Sequence, residues 1–428
     1  MAQTTHDPFP RPTSADRKEW RNYWEHCGQP WRTEPEISIV RQQKLAGWRK
    51  VPANVEKGIY PFRKRRLLRP DVEWLLAGHE EGRGPVLTSE AKERVGLDLR
   101  GADLSGVNLA GLPLTGLIGG LDTPPEGQDA YEARQAAAIH LEGASLEHAH
   151  LEYAHLRGAS LKRANLEGAI FDHAYLDEAY LDHANLRNSR FFEASLVSAS
   201  LEAVRGEKAQ FWHTNMKWAQ ILLAHLERSD LGEANLEEAD LSDVHLEGAN
   251  LDEACLAGAS LHKVSFDANT DLQGVDFGDV RRGLTSFSDI RWDTIDLDQI
   301  DWSAVPMLGN EYEAGRETSS DGEPKSQEEQ LEQYREAAKV TRYLARALYA
   351  QGLDEESAYF ALRARRIERT IFSLQGRWGA FLHSLLSDWF DQFGYRPEKK
   401  LYWAILSVVI ILLFSQRRDR VAKTPRRR

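Results

Sequence analysis

The chain has 428 residues, a hydrophobic fraction of 42% and a net charge of −12, enough for two or three domains with a sizeable core. Two cysteines, Cys27 and Cys255, exclude a disulfide-built scaffold and fit a reducing compartment. The opening "MAQTTHDPFPRPTSADRKEW" has no apolar core, so a secreted protein is not expected.

Residues 1–95 carry 18 basic and 13 acidic side chains. They hold Trp20, Trp24, Trp31, Trp48 and Trp74 among scattered prolines. "EPEISIVRQQKLAGWRK" and "RPDVEWLLAGHEEG" read as short helices, the second ending at Gly82. This head is expected to be a small irregular cap on the hydrophobic end of the neighbouring repeat region. Its cluster "FRKRRLLR" (62–69) suits anionic lipid or nucleic acid, but a solvated basic loop is the simpler expectation.

From Leu141 to Phe266 every fifth residue is Leu, Phe, Met or Ile, except Gly206. The residue two places earlier is Ala in most repeats, otherwise small or β-branched, as at Thr214, Ser229, Val244 and Val264. A period of five fits neither a helix nor a strand. It fits a chain that turns a corner after every short strand, four sides making a square coil of 20 residues. Both repeating positions point inward, and stability comes from stacking one coil on the next at about 4.8 Å. Leu99, Leu104, Leu109 and Leu114 begin the series, and residues 115–138 read as a loop and short helix inserted into it. The frame slips by one at Leu272 and Phe277, with Arg282 as a defective inward position. It resumes at Phe287, Trp292, Leu297 and Trp302, so the solenoid spans 96–305.

These repeats, seen as "ANLEG" (164–168), "ANLEE" (234–238), "ADLSD" (239–243) and "ANLDE" (249–253), resemble the pentapeptide-repeat family, whose motif is A-(D/N)-L-X-X. The resemblance implies a mainly β solenoid, a right-handed quadrilateral β-helix. Some members are acidic rods that occupy the DNA site of type II topoisomerases. This chain shares the rod and the acidity, with 21 acidic against 10 basic residues in 141–266. It departs from them in its head, its helical C-terminal part and its apolar tail segment.

A 20-residue coil stacks Phe171, Phe191 and Phe211 in one inner column, read as core packing. It also places Phe192 under Trp212 on the outside, near His213 and Trp218. These four are the candidate protein-contact patch, since stacked exposed aromatics are unusual on a charged surface. Cover by a neighbouring segment is the alternative reading. His225 lies under His245, but the sequence shows no third ligand, and no metal or cofactor is expected. Cys255 takes an outward slot as a bystander.

Beyond the solenoid, 306–327 has the composition of a linker. Residues 328–375 read as a helical hairpin through Tyr334, Ala338, Leu344 and Leu348, then Ala358, Leu362 and Ile367. It is similar to one tetratricopeptide unit through Tyr349, Ala358 and Leu362. Residues 376–415 combine an amphipathic stretch with "LYWAILSVVIILLF" (401–414), and a basic tail occupies 416–428. Leu401, Trp403, Ile405, Val409, Leu412 and Phe414 mark this apolar segment. Fourteen residues span about 21 Å, short of a hydrocarbon core of about 30 Å. Membrane association through 377–414 is nonetheless expected, from the charged flanks and the amphipathic approach.

No G-x-S-x-G, P-loop, H-E-x-x-H or C-x-x-C is present, and the carboxylates sit on convex columns without a cleft. The expectation is a non-enzymatic scaffold: a cytoplasmic body held to the cytoplasmic membrane by its C-terminus, presenting a surface to a protein partner. Nucleic acid is not expected as a ligand. The alternative is an acidic DNA mimic that binds a type II topoisomerase or another DNA-binding protein.

Overall fold

A computed structural model of the chain describes residues 10–55, 57–121, 130–319 and 322–392. It divides into two compact units, Met1–Asp301 and Trp302–Arg428.

The first unit is a solenoid with a helical head. Along the repeat each residue just before an inward leucine pairs in parallel with the residue 20 positions on, as in Ser160↔Tyr180, Tyr180↔Ser200 and Ser200↔Gln220. Between these pairs the chain turns, and the turn closes with a bond such as Ala164 N to Leu161 O, 3.0 Å. The last turn residue is left-handed even without glycine: φ is 57° at His173, 58° at Glu178 and 57° at Leu223. Each such residue carries the cost of an L-side chain in that region. The backbone bonds to the next coil and the two buried slots per side offset it. Leu161, Leu166, Leu181 and the alanines before them are fully buried. At Thr214, where a hydroxyl replaces alanine, the side chain donates to Phe191 O at 2.7 Å. Phe171, Phe191 and Phe211 stack with centroids 4.8 and 5.0 Å apart.

Gly206 does not loosen its coil. A Cβ there would stand 2.7 Å from Leu226 Cδ2, so the leucine of the next coil fills the space. The early block joins the same register: Asp98 pairs with Ile118, then Asp103 with His140 and Asn108 with Ser145. Seventeen extra residues therefore leave and re-enter between consecutive coils. They include helix α4 (Ala130–Ala137), whose Ala137 packs with Tyr60 and Leu121.

After Phe266 the interval lengthens by one residue, as Asn250↔Asp271 and Cys255↔Asp276 record. Arg282 is not an inward position. It lies exposed in the turn of a hairpin, β2 (Gly278–Asp279) with β3 (Gly283–Leu284), and ion-pairs with Asp276 and Asp279. The hairpin's extra residues break the count of five. The coil then resumes where β1 (Ser260–His262) pairs in parallel with β4 (Ser286–Ser288). Trp292 and Leu297 each open a single 3-10 turn and remain buried.

Among its described residues the head contains three α-helices: α1 (Arg17–His26), α2 (Ile39–Arg49) and α3 (Arg69–Ala77). Asp16 caps α1, which buries Trp20 and Trp24. The basic cluster is not a free loop. Lys64 N donates to Gly101 O and Leu67 N to Asp103 O, at 2.7 and 3.0 Å, so a turn and the single bridge Arg66↔Asp103 lay these residues along the first coil. Phe62 and Leu67 are buried, Arg65 stands over Trp48, and Arg66 pairs with Asp103 at 2.7 Å.

Among its described residues the second unit contains the α-helices α5 (Gly309–Gly315), α6 (Gln327–Ala350), α7 (Asp354–Leu374) and α8 (Trp378–Gln392). The span 306–327 is thus more than a linker: Leu308 and Ala314 are buried, and Glu311 pairs with Arg363 of α7 at 2.8 Å. The hairpin core is Ala338, Thr341, Leu344 and Leu348 of α6 against Ser357, Phe360, Ala364 and Ile367 of α7. Tyr349, Ala358 and Leu362 face solvent. The tetratricopeptide likeness therefore fails, because its marker positions are outside the core. Asp388 of α8 bonds Arg365 at 3.0 Å and also Arg369, while Trp378 and Leu385 are exposed. Among the described residues no helix is long and apolar enough to cross a membrane. The segment Leu401 to Phe414 and the tail lie outside the described residues.

Candidate functional site

On one side of the square coil the slot after the inward residue is filled in turn by Asp172, Phe192, Trp212 and Gly232. The next slot is filled by Tyr153, His173, Glu193, His213 and Glu233. Phe192 and Trp212 stack with centroids 5.3 Å apart, and His213 lies 4.2 Å from Trp212. His173 meets Phe192 edge-on at 5.5 Å and stacks on Tyr153 at 4.7 Å. The result is an unbroken aromatic strip crossing four coils.

Gly232 makes room for the strip. A Cβ there would stand 3.0 Å from Trp212 Cδ1, so the indole lies over the glycine. Trp212 stays 42% exposed and is not covered by any described segment. Carboxylates border the strip: Glu193 faces His173 at 3.2 Å and Glu233 faces His213 at 3.3 Å. Asp172 pairs with Arg190 at 2.6 Å.

The structure brings Phe192, Trp212 and His213 together and leaves Trp218 apart. Trp218 lies beyond a corner, on the side centred on Met216, 48% exposed with Lys217 Nζ 4.5 Å from its ring. Tyr153 and His173 also belong to the strip, although neither is among the residues expected there. Their signal is present in the sequence, since 153, 173 and 213 share one column of a 20-residue coil.

Elsewhere the outward charges pair between coils. Arg157 meets Asp177 at 3.3 Å, Lys162 meets Asp182 at 2.7 Å, and Lys217 meets Glu237 at 2.9 Å. Burial pushes the Glu207 carboxyl up, but its bond to Arg187 outweighs this and holds it below the usual range. Burial raises the Cys255 thiol, so it is not primed as a nucleophile.

The pentapeptide-repeat sequence profile matches eight copies, over residues 139–176, 169–205 and 224–267, all within the segment that pairs at 20-residue intervals. The chain carries pentapeptide repeats over these residues. Solved structures similar to this chain include HetL, a pentapeptide repeat protein involved in heterocyst differentiation regulation from the cyanobacterium Nostoc sp. Strain PCC 7120. That match is 23% identical, covers 44% of this chain and 86% of HetL, and has a TM-score of 0.32. QnrB1, a plasmid-mediated fluoroquinolone resistance protein, is 18% identical over 38% of this chain and 81% of its own, with a TM-score of 0.32. Rfr23 from the cyanobacterium Cyanothece 51142 is 33% identical over 21% of this chain and 62% of its own, with a TM-score of 0.15. No curated protein sequence matches the chain significantly.

Proposed function

We propose that the protein is a non-enzymatic interaction scaffold. Its solenoid, taken as the right-handed quadrilateral β-helix of its family, offers the strip of Tyr153, His173, Phe192, Trp212 and His213 to a protein partner. The observation that carries this reading is Trp212, lying exposed on Phe192 over Gly232 while the surrounding charges are paired off. Exposed aromatic ladders with a polar rim have the make-up of an interaction hot spot. The cross-coil ion pairs favour this reading over DNA mimicry. They interrupt the acidic surface with cations, whereas a mimic needs a continuous array of unpaired negative charge.

Affinity capture from extract of the native host tests the strip. A protein retained by the wild type is expected to be lost with Trp212→Ala, since a central indole is worth about 2 kcal/mol or more, roughly thirtyfold in Kd. Equal capture by both would remove the strip as the docking surface.

We further propose that residues 377–414 hold this body at the inner face of the cytoplasmic membrane. Support comes from exposed Trp378 and Leu385, seven residues apart on α8, and from the apolar and basic sequence after it. The full chain should float with vesicles containing anionic lipid, and a chain lacking 395–428 should not. Full-length protein that stays with the soluble fraction would exclude the tether.

A further inference from the structure

On another side of the solenoid two imidazoles lie face to face. His225 and His245 have ring centroids 4.7 Å apart and an interplanar angle of 2°. Each precedes a buried leucine that is followed by a glutamate. Each Nδ1 therefore faces a carboxylate, 3.1 Å to Glu227 Oε1 and 3.5 Å to Glu247 Oε1. One ligand atom each from His225, Glu227 and His245 lies within 4.8 Å of the other two. The third donor, unexpected from the stacked histidines alone, stands two residues after the first of them.

A second feature points to a ligand. Glu227 Oε2 and Glu247 Oε2 are both shielded from solvent, and neither has a hydrogen-bond partner. These glutamates stand in one column with Glu207 and Asp267 along a groove of about 630 Å³. Arg187 neutralises Glu207. Lys208 and Arg228 also line the groove, but among the described residues no ion pair joins either to Glu227 or Glu247. Two like charges on adjacent coils, each with an orphaned oxygen, are a cost that a cation would relieve.

We propose that His225, Glu227 and His245 hold one divalent transition-metal ion of the Zn²⁺ class, with water completing the coordination on the groove side. Imidazole nitrogen suits Zn²⁺ and its neighbours, whereas Mg²⁺ and Ca²⁺ take oxygen. Tetrahedral bonding at about 2.0–2.1 Å needs the two ring nitrogens about 3.3 Å apart. The rings reach that by splaying through side-chain rotation, because both project outward from the coil. The ion then clips two consecutive coils together from outside.

The same chain supplies an internal control. His140 faces Glu142 at 3.2 Å and His150 faces Glu152 at 3.1 Å, repeating the local His-x-Glu pair. One coil on, these histidines pair with Ser160 and Ile170, so neither has a second imidazole above it. Zn²⁺ titration of the full chain by calorimetry, with Co²⁺ absorption as an independent readout, tests the site. One equivalent is expected. His245→Asn and Glu227→Gln should each weaken binding at least about tenfold, while a His140→Asn/His150→Asn variant leaves it unchanged. Far-UV circular dichroism checks that each variant keeps its fold, and either single variant suffices if the other does not. Wild-type binding no tighter than that of a His225→Asn/His245→Asn variant, or equal loss in the control, would overturn the proposal.

Discussion

Phe191→Ala lowers the stability of the solenoid by about 3–5 kcal/mol, the cost of emptying a fully buried phenylalanine site. Phe191 is the middle ring of three. It lies 4.8 Å from Phe171 with an interplanar angle of 1°, and 5.0 Å from Phe211 with an angle of 12°. Truncation removes both contacts and leaves a void whose walls cannot collapse, because backbone pairing to the coils on either side fixes their spacing. Phe191→Leu costs far less, about 1 kcal/mol, since leucine fills most other inward slots. Thermal unfolding of the two variants checks this. The alanine form is also expected to melt in two steps, because coils on the two sides of the void lose their coupling while each keeps its other neighbours. Equal midpoints for alanine and wild type would refute a packed ring column.

Glu73→Ala unfolds the head at the cost of a broken buried ion pair, about 3–5 kcal/mol. Glu73 is fully buried in α3. It accepts from Thr33 N at 3.0 Å, Thr33 Oγ1 at 3.2 Å, Glu34 N at 3.1 Å and Arg69 Nε at 2.8 Å. Arg69 in turn donates to Ala110 O at 3.0 Å, on the first coil. Removing the carboxylate orphans two backbone N–H groups and takes the counter-ion from a guanidinium that joins head to solenoid. Glu73→Gln keeps an acceptor and should lose less. Urea unfolding monitored by tryptophan fluorescence reads the effect directly, since the head holds Trp20, Trp24, Trp31, Trp48 and Trp74. An unchanged midpoint for the alanine variant would mean that the head does not depend on this pair.

The solenoid is legible in the sequence because its inward slots recur at a fixed interval, so a wrong frame exposes leucines within one repeat. The one-residue slip before Leu272 is legible for the same reason. Arg282 is not, because the β2–β3 hairpin carries no periodic marker, and counting by five runs straight through it. Helix α1 is easily overlooked although Asp16 and the pair Trp20 and Trp24 announce it. On α7 two faces are equally plausible by spacing, and only packing decides for Phe360 and Ala364 over Ala358 and Leu362. Polar composition hides α5, whose buried residues, Gly309 and Ala314, are too sparse to make a pattern. At the candidate strip, column arithmetic places Phe192 and Trp212 correctly relative to each other. Trp218 joins them only by nearness in sequence, which a square coil does not preserve around a corner.

The pairing of each coil with the one 20 residues on also governs how the protein comes apart. Apart from the bond that closes each turn, the backbone bonds of the stack go to a neighbouring coil, so melting starts where a neighbour is missing, at the open faces. Lys64 to Leu67, laid along the first coil, act as a selvage: they bind off the ribbon at that border and keep it from unravelling. The seventeen-residue excursion that includes α4 is harmless for the same reason, because the thread leaves between rows and returns to the next one without dropping a stitch.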